Sequence, residues 1–267
     1  MAVNTGKPEP VDAGAASLAP AVSRAIRILE LLETAPQNEF SLHDISDRLA
    51  LPKSSVHNLC ATLVYEQVLR RGQNGYKLGR KLVQLGSSYI ASVDVIREFY
   101  DCCQAVPGQL NAMIQLSALD DGLNAVYLAR QDCDSGLRLG LSAEIGRRVP
   151  ANCTASGKAL LAALPIHELE RRLDDNKKLV ALTKASTSSP ARLRKELDKI
   201  RKLGFATDSE GVLPGVSCSA RSIFTNHRED GLLAISITAD KSSLNRARAD
   251  LIQETLLDLS EAMQKRL

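Results

Sequence analysis

Apolar residues recur with helical spacing in the first third of the chain and with strand spacing further on. Over Pro20–Thr34, Val22, Ala25, Ile26, Leu29 and Leu32 form one helical stripe. Ile28 and Leu31 widen it, which predicts burial on two sides, one of them against a partner chain. Ser41-Leu42-His43-Asp44 has the S-x-x-D form of a helix start, followed by a short stripe of Leu42, Ile45 and Leu49. After Ala50-Leu51, Pro52 opens a helix buried through Val56, Leu59, Cys60, Leu63 and Val64. Two short strands within Val68–Leu78 flank Asn74-Gly75, a hairpin signal. Leu82, Leu85, Tyr89 and Ile90 mark a helix over Gly79–Val93. Val95, Ile96, Phe99, Cys102, Cys103 and Val106 mark the next. From Met113 to Ala129 the period becomes two, with a turn at Asp120-Asp121-Gly122, and Leu137–Leu141 reads as another strand. A loop from Val149 leads into an Ala/Leu helix. A charged helix runs from Ser189-Pro190 to Gly204, between an N-terminal proline and a C-terminal glycine. Strands at Phe205–Ser209, Val216–Ile223 and Leu232–Thr238, with a loop over Asn226–Gly231 between the last two, precede a closing helix from Ser243 to Leu267. The pattern is α+β with a largely antiparallel sheet. Residues 1–19, rich in Ala, Gly, Pro and Asn, read as a disordered tail.

The chemistry sharpens this outline. The two short helices around Ala50-Leu51 have helix-turn-helix spacing. The outer face of the second is Ser54, His57, Asn58 and Ala61, with Lys53 and Ser55 near its start. Short, uncharged side chains suit approach to base edges in a major groove, whereas a solvated face usually carries Glu and Lys. A basic hairpin follows, with Arg70, Arg71 and Lys77 as phosphate contacts, and Arg24 on the first helix can reach phosphate too. Together these read as a winged helix-turn-helix for double-stranded DNA. The net charge of +3 excludes a histone-like polycation. Aromatic residues at 3% and the absence of Trp argue against single-strand stacking. No membrane span or signal peptide is evident, so a cytoplasmic protein is expected. Six cysteines without a C-x-x-C pair and four scattered histidines predict no metal, and no phosphate-loop or dinucleotide motif predicts a cofactor. The alternative is a hydrolase, with Ser156 or Cys153 as nucleophile and Lys158 as base on an appended DNA-binding module. The spacing is not S-x-x-K and no G-x-S-x-G occurs, so no enzyme is expected.

Both halves together resemble the IclR family of bacterial transcriptional regulators. The N-terminal resemblance lies in S-R-A-I-R-I-L-E-L-L, S-L-H-D-I-S-D-R-L-A-L-P-K-S-S-V-H-N-L-C-A-T-L and G-Y-K-L-G. The C-terminal one lies in A-S-G-K-A-L-L-A, L-G-F-A-T-D-S-E, P-G-V-S-C-S-A and L-L-A-I-S-I-T. It implies a winged helix-turn-helix domain over 20–79, a linker helix over 80–93 and a GAF-like or profilin-like effector-binding domain over 94–267. It also implies a dimer, pairing into a tetramer, on a palindromic operator, most often as a repressor, with a small organic effector. Effector contacts carried over by the resemblance are Ala155, Ser156, Asp208, Cys218, Ser236 and Thr238. Leu139, Leu141 and Val216 would supply apolar walls. Two residues depart from the family pattern. Ala50 stands where glycine is frequent, and Arg221, which could counter an acidic effector, stands where an apolar residue is common.

Overall fold

The computed structural model describes residues 18–92, 94–106, 110–133, 144–175, 178–225 and 231–267. Residues 1–17 of the expected tail, the expected strand at 137–141 with Leu139 and Leu141, and loop residues 226–230 lie outside them. The chain forms two compact units, 1–92 and 93–267.

In the first unit, α1 (Pro20–Glu33), α2 (Leu42–Leu49) and α3 (Lys53–Tyr65) pack around Ile28, Leu31, Leu32, Ile45, Val56 and Cys60. The wide stripe of α1 is half used: Val22 and Ile26 remain exposed. The expected cap of α2 is present in both directions. Ser41 Oγ accepts the Asp44 N–H, and Asp44 accepts the Ser41 N–H at 2.9 Å. The Ser41 hydroxyl, which also donates to Asp44 Oδ2 at 2.6 Å, and then the Ser41 N–H hold the Asp44 carboxyl below its ordinary value. At its far end α2 closes through Ala50 in the left-handed conformation (φ 51°), with Leu51 N–H donating to Ser46 O and Ala50 N–H to Asp47 O. A Cβ at such a position costs about 1–2 kcal/mol, partly offset by the extra chain entropy of glycine. Ala50→Gly is therefore expected to stabilise this unit by about 0.5–1 kcal/mol. A urea midpoint that stays put or falls would contradict this.

Strands β1 (Leu69–Arg71) and β2 (Tyr76–Leu78) pair antiparallel, and Phe40 bridges to Tyr76. Their turn differs from the expected two-residue Asn-Gly turn. It spans Gly72–Gly75, closed by Gly72 N–H to Gly75 O, and neither Asn74 nor Gly75 has positive φ. Gly75 serves close approach instead, because a Cβ there would lie 2.2 Å from Phe40 O. Helix α4 (Lys81–Ser92) follows.

The second unit is built on a six-stranded antiparallel sheet in the order β5-β4-β3-β8-β7-β6. Its strands are β3 (Ala112–Leu119), β4 (Asn124–Cys133), β5 (Arg148–Pro150), β6 (Ala206–Ser209), β7 (Val216–Phe224) and β8 (Leu232–Asp240). Its helices are α5 (Asp94–Cys103), α6 (Ala155–Ala163), α7 (Ile166–Asp175), α8 (Pro190–Leu203) and α9 (Arg246–Arg266). Strand alternation gives the sheet two unlike faces. Ile114, Leu116, Leu233, Ile235 and Ile237 pack with α5 and α9 in an aliphatic core. The other face is built of small residues: Ala125, Ala206, Ala220 and Ala234 meet α6 through Ala155 and Ala159. A register shift between Leu116 and Ser117 pairs Ala129 with the first and Tyr127 with the second. That irregularity sends Tyr127 and Ala129, two residues apart, to opposite faces. Helix α6 lies so close that a Cβ on Gly157 would sit 2.3 Å from Ala151 Cα. Among the described residues, no helix is long and apolar enough to cross a membrane, and no group of His, Cys, Asp and Glu is placed to hold a metal ion.

Candidate nucleic-acid interface and ligand cleft

Helix α3 buries Val56 and Cys60 completely, which turns Lys53, Ser54, His57, Asn58 and Ala61 to solvent; Ser55 is half-buried. Burial pushes the Cys60 thiol up to about 11, as suits an inert core residue. His57 Nδ1 and Asn58 Oδ1 are 3.5 Å apart, neighbours on the open face. The α3 surface matches the short polar face expected from sequence. Arg24, Arg70 and Arg71 are exposed as well. The hairpin register divides its cations: Arg70 pairs with Lys77 on one face, while Arg71 pairs with Tyr76 on the other. Lys77 is expected among the phosphate contacts. It is half-buried, with its ammonium 3.7 Å from Glu39 Oε1. Arg27 is also committed, donating to Leu49 O at 3.3 Å.

In the second unit a small cleft with an enclosed volume of about 40 Å³ is lined by Gln115, Tyr127, Thr154, Asp208, Cys218 and Thr238 on its polar side. Gly211, Val212, Leu213 and Val216 complete it. Three expected effector contacts, Asp208, Cys218 and Thr238, come together here, as does Val216. Ala155, Ser156 and Ser236 do not line the cleft. They are fully buried where α6 meets the sheet, since alternation fixes a residue's face but not its depth. Gln115, Tyr127 and Thr154 were not expected. A polar Gln115 and Ser117 at period two inside the apolar Ala112–Leu119 is the sequence signal for that wall. Arg221 cannot face an effector here. It pairs with Ile235 on the α5/α9 side, opposite Cys218 and Ala220.

The electrostatics centre on Lys158, in the first turn of α6 and almost fully buried. Its Nζ lies 2.9 Å from Asp208 Oδ1 and 3.2 Å from Glu196 Oε2. Asp208 Oδ2 accepts the Gly211 N–H at 2.8 Å, which joins this charge cluster to the β6–β7 loop over the cleft. Burial pushes the Glu196 carboxyl up, but Lys158, Thr187 and Arg192 outweigh it and leave the group below its ordinary value. The thiol of Cys218 is pushed up to about 12 by burial, against the Thr238 hydroxyl, which donates to it at 3.2 Å. Tyr127 is raised well above the usual phenol value, first by burial, then by the neighbouring Cys218; Thr154 opposes the rise. Both groups are therefore neutral hydrogen-bonding surfaces at ordinary pH. The hydrolase arrangement is not assembled. Lys158 is committed to two carboxylates, the Ser156 hydroxyl meets Thr154 at 3.3 Å, and the Cys153 thiol donates to Val180 O.

With this geometry in place, comparison with known proteins is informative. A protein-family model described as "Bacterial transcriptional regulator IclR C-terminal" matches residues 87–265, and "IclR helix-turn-helix domain" matches 21–72. The chain is 30% identical to "HTH-type transcriptional regulator XynR" of Escherichia coli over 92% of its length and 96% of that protein's. It is 27% identical to "Transcriptional repressor IclR" of the same organism, over 91% and 88%. An IclR-type transcriptional regulator of Alicyclobacillus acidocaldarius shares the fold at a TM-score of 0.78 and 21% identity, over 93% of this chain and 99% of that one. An IclR homologue of Microbacterium hydrocarbonoxydans, solved in complex with 4-hydroxybenzoate, shares it at 0.70 and 22%, over 92% and 99%.

Proposed function

The chain belongs to the IclR family of bacterial transcriptional regulators, and from that premise we propose that it represses transcription from a palindromic operator, under the control of a small organic effector bound in the cleft. The observation that carries the DNA half is the open, short-chained face of α3: Ser54, His57 and Asn58 are free to meet base edges because Val56 and Cys60 anchor the helix from behind. Lys53 and Arg70 hold phosphates, with Arg24 and Arg71 at the margins. Repressors among the relatives support the direction of control. Exposed Val22 and Ile26 on α1, with Val83, Leu85 and Tyr89 on α4, support a homodimer that pairs into a tetramer. Selection from a pool of random duplexes tests this. A two-fold symmetric consensus is expected; an asymmetric or featureless pool would remove the palindrome.

The homologue that holds 4-hydroxybenzoate supports an organic effector for this chain as well. A polar wall of Gln115, Thr154, Asp208 and Thr238 faces apolar Val212, Leu213 and Val216, which suits a small amphipathic molecule. Thermal melting against 4-hydroxybenzoate and related acids, amides and hydrazides is expected to reveal one stabilising class. Thr238→Val, which keeps the shape and removes the hydroxyl, is expected to cut that shift sharply. An undiminished shift in the variant would place the ligand elsewhere.

A further inference from the structure

The turn of the wing is closed from outside by a carboxylate. Glu39, between α1 and α2, accepts the Asn74 backbone N–H at 2.6 Å on Oε2 and keeps Oε1 3.7 Å from Lys77 Nζ. The carboxylate rests on Gly72, where a Cβ would lie 2.1 Å from Oε1. The next residue fixes its register, because Phe40 and Tyr76 exchange backbone hydrogen bonds at 3.2 and 2.9 Å. The lysine and glutamate side chains are only 24% and 21% exposed, so the pair is partly shielded from water. A hairpin that reads as purely basic in sequence therefore carries a negative group at its turn.

We infer that Glu39 is a positioning residue for DNA binding: it fixes the wing turn through Asn74 and withholds Lys77 from the phosphates, leaving Arg70 as the wing's grip on that face. The inference rests on the DNA-binding reading above. The turn needs such a support. Neither Asn74 nor Gly75 takes the left-handed conformation that lets a two-residue turn close itself, and the four residues are joined by the backbone bond from Gly72 N–H to Gly75 O. The cost falls on charge. Each cation that neutralises a phosphate of duplex DNA adds about 0.9 to the slope of log affinity against log salt, and a lysine held by a carboxylate adds little.

Glu39→Gln separates the two roles, since glutamine keeps an oxygen for the Asn74 N–H and loses only the charge. The probe is a mixed-sequence DNA duplex, titrated with the full chain between about 50 and 200 mM salt. Glu39→Gln is expected to bind severalfold more tightly than wild type at low salt, with a slope steeper by about 0.9. Lys77→Met added to Glu39→Gln is expected to cancel both gains. Glu39→Ala, which also strips the Asn74 N–H of its acceptor, is expected to gain less than Glu39→Gln. A Glu39→Gln slope equal to that of wild type would overturn the charge role, and equal gains in the Gln and Ala variants would overturn the positioning role. Wild-type protein that fails to bind the duplex at all is a different failure, which removes the DNA-binding reading itself.

Discussion

Lys158→Met is expected to destabilise the second unit by about 3–5 kcal/mol, with a large fall in its melting temperature. The lysine is the shared counter-charge of Asp208 and Glu196, at 2.9 and 3.2 Å, and its side chain is only 6% exposed. Methionine fills much the same space, so the loss is electrostatic rather than a cavity. Asp208, as deeply buried as the lysine itself, loses its cation, while Glu196 keeps Arg192 at 2.9 Å. Adding Asp208→Asn to Lys158→Met removes one orphaned charge and is expected to recover a substantial part of the loss. A single variant that melts within about 1 kcal/mol of wild type, or a double variant no better than the single one, would show that the cluster contributes little.

The pH dependence is expected to be weaker in Lys158→Met than in wild type. In the folded wild type, Glu196 titrates below its ordinary value of 4.5. Its contribution is therefore fully present above that value and is lost as the pH falls through the depressed one. Without Lys158, Glu196 loses its largest lowering influence but keeps Thr187 and Arg192, so the variant has less to lose on acidification. The difference between wild type and Lys158→Met is expected to narrow as the pH is lowered below 4.5. A gap that widens on acidification would contradict this account.

Lys158 also marks how far the sequence carries. The run A-S-G-K-A-L-L-A is apolar all round apart from one serine and one lysine, so the helix is buried and its lysine must find carboxylates. Which ones they are, fifty residues away on β6 and thirty-eight away on α8, is a matter of sheet order and is not written locally. The periodic elements were legible because their stripes are long: Val56 and Cys60 on α3, and Val95, Ile96 and Phe99 on α5, are all buried where the spacing puts them. Helix α7 and strand β5 stand outside the expected elements. Among its described residues the first buries only Leu169 and Leu173, and Arg172 ties it to the carbonyls of Asp120 and Gly122. The second has three residues and exists only by pairing with β4. The cleft was half legible. Alternation along Leu232–Thr238 separates Ser236 and Thr238 from Ile235 and Ile237, yet α6 covers Ser236 and leaves Thr238 at the cleft. The wing turn was misleading for a similar reason, because Asn-Gly implies local turn chemistry, whereas Phe40 and Glu39 shape this one from outside.

Asn58→Ala is expected to lower affinity for the selected operator by about 1–3 kcal/mol, some 5- to 150-fold, while leaving binding to unrelated duplex almost untouched. The asymmetry follows from where the side chain stands. Asn58 is exposed on the open side of α3, and its amide can both donate and accept, as recognition of an adenine edge requires. It carries no charge, so removing it changes no phosphate contact and leaves the salt slope as it was. Lys53→Ala is the necessary contrast: it is expected to weaken specific and non-specific binding together and to flatten the slope by about 0.9. The selected consensus is expected to lose its preference at one position of each half-site in Asn58→Ala and at none in Lys53→Ala. If Asn58→Ala instead weakens both kinds of binding equally, α3 meets the backbone rather than the bases, and the reading element has to be sought elsewhere in the winged unit.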